Sequence, residues 1–338
     1  MNHRLPRALA VLAALSVVAL IPAAAQAPRA TAPVQPLEIR AQAIDSFDPR
    51  EPGRTRFGKL TFRGGLVLNS THRDFGGLSA IRVMADGEQF LAVTDKGNWL
   101  RGRIVTRDGR PIAIRDAEIA PVLGADGRPL RRRGWYDTEA LAEDGGTVWL
   151  GIERVNQIVR FDYGKDGLRA RGQPVAVPPG IRSLPNNQGI ECLVAPPRDG
   201  PLGGTLVAIA ERGLDASGNH QGFLVGRALG AFSLKRTDDF DVSDCAATPD
   251  GELLVLERRF SWLRGLAMRI RSVPLAQVRP GALLDGPALI AADLGQQIDN
   301  MEGLSVHRAP DGALVLTLIS DDNFSVLQRT VLLQFALE

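Results

Sequence analysis

Three scarcities set the first limits on this sequence. The chain of 338 residues holds four histidines, two cysteines and only 5% aromatic residues. Beyond the opening stretch the histidines are His72, His220 and His307, and no paired His/Cys spacing of the kind that grips zinc occurs. No G-x-S-x-G element is present either. Ser79 lies in GGLSAI, which lacks the second glycine, so a Ser/His/acid triad has little support. Excess charge is also missing: 40 Lys and Arg against 38 Asp and Glu leave a net charge of +2. That excludes a nucleic-acid binder driven by bulk charge. Past the N-terminal stretch no segment is long and apolar enough to span a bilayer.

What is present begins with an export pattern. Arg4 and Arg7 precede an apolar run from Ala8 to Ile21, followed by small residues at Ala23, Ala24 and Ala25. Residues 1–25 read as a signal peptide, cleaved after Ala25, which places the chain in the periplasm or outside a bacterial cell. No twin arginine precedes the run and no cysteine follows it for a lipid anchor. Residues 26–56, rich in Pro, Ala and Arg, read as a poorly ordered leader, with the folded domain over 57–338.

The rest of the chain repeats. GLSAIRVMADGEQFLAVTD (77–95), DTEALAEDGGTVWLGIE (137–153), GIECLVAPPRDGPLGGTLVAIAE (189–211), VSDCAATPDGELLVLE (242–257) and NMEGLSVHRAPDGALVLTLISD (300–321) share one plan. A polar head leads a short apolar strand, a turn containing Gly and a second apolar strand that ends in an acid. Alternating runs such as QIVRFDYG and AMRIRSVPL lie between these cores. Units of this length with three or four antiparallel strands predict an all-β fold, a β-propeller of five blades. A sixth blade stays open if 100–134 or 258–298 hides another sheet. The segment KLTFRGGLVLNS (59–70) is expected to close the ring by pairing with the last blade.

Aligned by first strand, the repeats superpose Ser79, Glu139, Glu191, Asp244 and Glu302. Aligned by the end of the second strand, they superpose Asp95, Glu153, Glu211, Glu257 and Asp321, followed by Lys96, Arg154, Arg212, Arg258 and Asp322. Inner strands line the central channel, so these positions are expected to ring one mouth. Acids so crowded need cations, protons or hydration. For the second ring, pairing with the adjacent bases is the simple solution. For the first, which has no adjacent bases, a hard divalent ion fits better. Ca²⁺ is the first candidate, with another divalent metal as the alternative. Glu139, Glu191, Asp244, Glu302 and Asp321 are the expected metal ligands. Lys96, Arg154, Arg212 and Arg258 are the expected contacts to a small anionic substrate.

The segments GGLSAI, DTEAL, GIECL, NMEGLSV and SDDNF…QRTVLLQFAL resemble the phytase-like family, labelled "esterase-like activity of phytase", over about residues 57–337. The resemblance implies a β-propeller and hydrolysis of phosphate or carboxylic esters. It makes metal-assisted phosphoester hydrolysis the leading expectation, with Glu139, Glu191 and Glu302 as catalytic carboxylates. A non-catalytic propeller that holds a ligand or partner, and a lactonase- or esterase-type metal hydrolase, are the alternatives. The chain is expected to act as a monomer. Cys192 and Cys245 follow heads of adjacent units. Two buried free thiols are the expectation, with a disulfide left open because bridging geometry is narrow.

Overall fold

The computed structural model describes residues 33–263 and 265–337; the expected signal peptide lies outside them. Strands form five antiparallel-based sheets of four to six strands each. The inner strands are Leu78–Val83, Thr138–Asp144, Ile190–Val194, Asp241–Ala247 and Asn300–Arg308. Each packs against the inner strand of the next sheet and the fifth against the first, which closes a five-bladed propeller. The stretches that left a sixth blade open are outer strands of the first blade (Asn98–Arg107, Arg110–Pro121) and of the fourth (Gly265–Pro274, Ala288–Asp293).

The apolar core is correspondingly split into five layers, one between each pair of neighbouring blades. Side chains on a strand alternate between faces. Leu91 and Val93 therefore pack against the second blade, while Phe90 and Ala92 pack against the fifth. Both faces of such strands are covered, which explains continuous runs such as Leu314–Asp321, buried at every position.

The ring closes as expected. Leu60–Asn69 pairs with Thr330–Leu337, the third strand of the last blade. The leader expectation needs correction from residue 33 onward. Gln35–Pro36 adds to the outer strand of the first blade, and Arg40–Ile44 adds a fifth strand to the last. Phe47 is fully buried, with its ring 4.8 Å from Phe57 and 5.0 Å from Phe335. Composition hid this segment because Arg40–Ile44 buries little beyond Ile44. Its order rests on backbone pairing, which leaves no hydrophobic period to read.

Cys192 and Cys245 form a disulfide between the inner strands of the third and fourth blades, with Cα atoms 5.0 Å apart. The free-thiol expectation is thereby replaced. Among the described residues no helix is long and apolar enough to cross a membrane.

Candidate functional site: an acidic mouth around Arg258

Every inner strand carries one irregularity at the same place. Pairing skips a residue between Leu78 and Ala80, Thr138 and Ala140, Ile190 and Cys192, Val242 and Asp244, and Met301 and Gly303. Such a bulge leaves one residue out of the ladder and re-aims its side chain. The bulged residues are Ser79, Glu139, Glu191, Ser243 and Glu302. They form the inner row of the mouth. The outer row stands at the ends of the second strands: Asp95 opposite Gly77, Glu153 opposite Asp137, Glu211 opposite Gly189, Arg258 opposite Asp241 and Asp321 opposite Asn300.

This register corrects the fourth repeat. Its members of the two rows are Ser243 and Arg258, not Asp244 and Glu257. Cys192 follows its bulge directly, whereas Cys245 follows its bulge one residue later, so the two cysteines are not equivalent positions. A slip of one residue exchanges the faces of a strand, and both displaced acids have other work. Asp244 is fully buried and holds Arg82 through two bonds of 2.9 Å, while accepting the amides of Cys245 (2.7 Å) and Leu304 (2.8 Å). It is therefore not free to ligate a metal. Glu257 is buried between Arg269 and Arg271, each within 2.6 Å.

Arg258 thus stands alone among carboxylates, three from the inner row and four from the outer. Its Nη2 lies 3.2 Å from Glu211 and its Nη1 3.3 Å from Glu302 and 3.0 Å from Asn300 Oδ1. Burial alone would lower its pKa, but Glu302, Glu191 and Glu211 raise it above the usual arginine value. One guanidinium cannot neutralise the rest. Carboxyl oxygens of Glu153, Glu191 and Glu211 lie within 4.8 Å of one another, all three residues being buried. Glu153 accepts the Gly189 amide at 2.7 Å, an approach that a side chain at residue 189 would obstruct, since its Cβ would lie 2.5 Å from Glu153 Cγ. Glu191 Oε2 is buried without any hydrogen-bond partner. An orphaned buried carboxylate oxygen beside two more carboxylates is the donor set a hard divalent cation takes.

Of the expected ligands, only Glu191 belongs to this trio. Glu139 and Glu302 lie in the same inner row beside it. Asp321 stands across the mouth, where it and Asp95 repel one another and Asp321 accepts the Asn323 amide at 2.6 Å. Adjacency in sequence pairs Glu153 with Arg154 and Glu211 with Arg212, but neighbouring side chains diverge. Arg154 lies over the Tyr136 ring and Arg212 pairs with Asp241 at 2.6 Å. Lys96 lies over the Phe324 ring. These three cations are exposed at the rim, whereas Arg258 is drawn into the centre.

The same geometry explains two of the recurring motifs. Asp322 accepts the Gly77 amide at 2.9 Å and the Thr330 hydroxyl at 3.0 Å. Gly77 has φ +59°, and a Cβ there would lie 2.5 Å from both Asp95 Oδ1 and Phe324 Cε2. GGLSAI and SDDNF are thus two halves of one clasp between the first and last blades.

Crowding raises the carboxyl pKa values. Burial, then repulsion from Asp321, pushes Asp95 up to about 6, and burial does the same for Asp321. Burial takes Glu153 to about 7 against the Gly189 amide, and Glu302 to about 8 against Arg258. Burial and their acidic neighbours hold Glu139 and Glu191 well above the usual carboxylate range. Between the ordinary glutamate value of 4.5 and about 8 the folded chain therefore binds more protons than the unfolded chain. Its stability must fall as pH rises through that window. With chelator present, the melting temperature is expected to drop by at least about 5 °C between pH 5 and pH 8, and Ca²⁺ at pH 8 is expected to restore it. A flat or rising melting temperature in chelator, followed by scanning calorimetry, would contradict this account.

The family model described as "Phytase-like: Esterase-like activity of phytase" matches residues 73–324. The chain belongs to the phytase-like family. No curated protein matches this phytase-like chain in sequence. Among solved structures it is similar to the Myxococcus xanthus glutaminyl cyclase, with 11% identity, 78% of this chain and 92% of that one covered, and a TM-score of 0.41. It is also similar to the PQQ-bound aldose sugar dehydrogenase of Streptomyces coelicolor, with 12% identity, 81% and 98% covered, and a TM-score of 0.40. At such scores nothing about chemistry passes from those proteins to this one.

Proposed function

We propose that this phytase-like propeller is a metal-assisted phosphoester hydrolase that works outside the cytoplasm. The observation that carries the reading is the buried Glu153–Glu191–Glu211 trio with Glu191 Oε2 unpartnered. These residues would hold Ca²⁺ or a similar hard divalent ion. Such an ion supplies charge neutralisation for phosphoryl oxygens and activation of water. The chain's own residues then do the rest. Lys96, Arg154 and Arg212 at the rim draw a polyanion towards the mouth. Arg258 offers guanidinium hydrogens at the centre. Glu302 accepts Asn300 Nδ2 at 2.8 Å through Oε1, the oxygen that also faces Arg258. That leaves Oε2 to carry a proton near neutral pH, as a general acid for a leaving alkoxide requires. Glu139 lies beside it, and burial and acidic neighbours raise its pKa as well. The disulfide supports an oxidising compartment.

Metal-free protein titrated with Ca²⁺ in a calorimeter is expected to bind it, and phosphate release from phytate is expected to appear with Ca²⁺ and vanish with chelator. Calcium binding without turnover of any phosphate ester would instead make the mouth a ligand-holding site. Turnover confined to lactones would assign a different hydrolase.

A further inference from the structure

The mouth end of the propeller carries fully exposed apolar side chains on two neighbouring blades. In the fourth blade, strands Glu252–Ser261 and Gly265–Pro274 continue as a hairpin past Arg258, where the inner strand begins opposite Asp241. The extension runs for about 10 Å at the usual strand rise. At its end Trp262 is 94% exposed and Leu263 99%. Phe260 flanks them at 63% with its ring against Trp262. In the fifth blade, the loop after Asp321 presents Val326 at 100% and Leu327 at 90%. Apolar side chains this exposed, in adjacent pairs on two loop tips at one pole, mark an interaction surface.

We infer that this pole docks on an anionic phospholipid bilayer. Two observations favour a bilayer over a protein partner for these apolar residues. They include a tryptophan, which settles at the level of lipid headgroups. Cations stand exposed at the same pole: Lys96 and Arg154 have no carboxylate partner within ion-pair distance among the described residues, and Lys96 lies over Phe324 at the base of the Val326 tip. Apolar insertion combined with attraction to anionic headgroups is how peripheral proteins hold a membrane without spanning it. Docking in this orientation brings the acidic mouth against headgroup phosphoesters. The docking itself stands whether or not the mouth hydrolyses anything.

The full folded protein is to be sedimented with vesicles of phosphatidylcholine alone and of phosphatidylcholine with phosphatidylglycerol. Binding to the mixed vesicles is expected, weaker on phosphatidylcholine and weakened by salt, with a blue shift of tryptophan emission. The paired variants Trp262→Ser/Leu263→Ser and Val326→Ser/Leu327→Ser are each expected to lower partitioning at least about tenfold, with unchanged melting temperature and unchanged Ca²⁺ binding. No binding to mixed vesicles would overturn the inference, as would binding indifferent to both variants. A self-association in sedimentation velocity that both variants abolish, without vesicle binding, would assign the pole to a second copy of the chain.

Discussion

Replacing Glu191 by glutamine is expected to lower divalent-ion affinity by at least about 100-fold, the upper end of what loss of a mere supporting partner costs a metal site, and to remove phosphate release with it. The substitution keeps the shape of the side chain and deletes its charge. It also turns one of the two terminal oxygens that Glu191 brings to the buried trio into an amide nitrogen that cannot ligate. The effect on the metal-free protein runs the other way. Glu191 is buried among Glu139, Glu302 and Glu211, whose charges oppose its ionisation, so removing it relieves repulsion. The variant should therefore melt higher than the parent at pH 8 in chelator, and gain less from Ca²⁺. Loss of function with a rise in metal-free stability is the signature of a residue kept for its site. Unaltered Ca²⁺ binding, measured calorimetrically, would remove Glu191 from the ligand set.

Arg82→Met is expected to be the most damaging single change to the fold. Arg82 is buried and reaches from the inner strand of the first blade into the middle of the ring. Besides Asp244 it donates to the carbonyls of Leu304 (2.8 Å), Leu193 (3.1 Å) and Cys245 (3.1 Å). One side chain thus joins inner strands of four of the five blades. Truncating it leaves Asp244 charged or newly protonated in an apolar interior and four carbonyls, that of Ile81 included, without the donors Arg82 supplies. Breaking a buried pair in this way costs about 3–5 kcal/mol, which lowers the melting temperature by roughly 5–10 °C in a protein of this size. The double variant Arg82→Met/Asp244→Asn should recover a good part of the loss, because it removes the stranded charge. A single variant that melts within about 1 °C of the parent would mean that the pair contributes little.

Repeat spacing made the architecture legible. Polar heads, Gly turns and acid-terminated strands recur because each blade must place the same two strand ends at the same mouth. The five blades and the closure by residues 60–69 follow from that alone. Three things did not follow. The bulge at each head is a backbone event with no fixed residue, so Ser243 could not be told from Asp244, and matching acid to acid across the repeats set the fourth register one residue off. In the second row acids precede bases, a pattern that predicts a salt-bridge lattice. A contiguous acid and base need not meet, however, and Arg154 and Arg212 turn away to Tyr136 and Asp241. Arg82 lay inside the apolar run LSAIRV, where an arginine signals a buried partner, but its partner lies 162 positions away.

The last blade also bears on how the molecule is made. It combines Leu60–Asn69 with Thr330–Leu337, segments that leave the ribosome far apart in time. Until the later strand emerges, the earlier one has no sheet to join, and one side of the ring stays unsealed with its apolar layers bare. Pairings of such long sequence separation are slow to form. The nascent polypeptide should therefore remain without its finished propeller, an open ring of part-formed blades, until residues 330–337 have been synthesised.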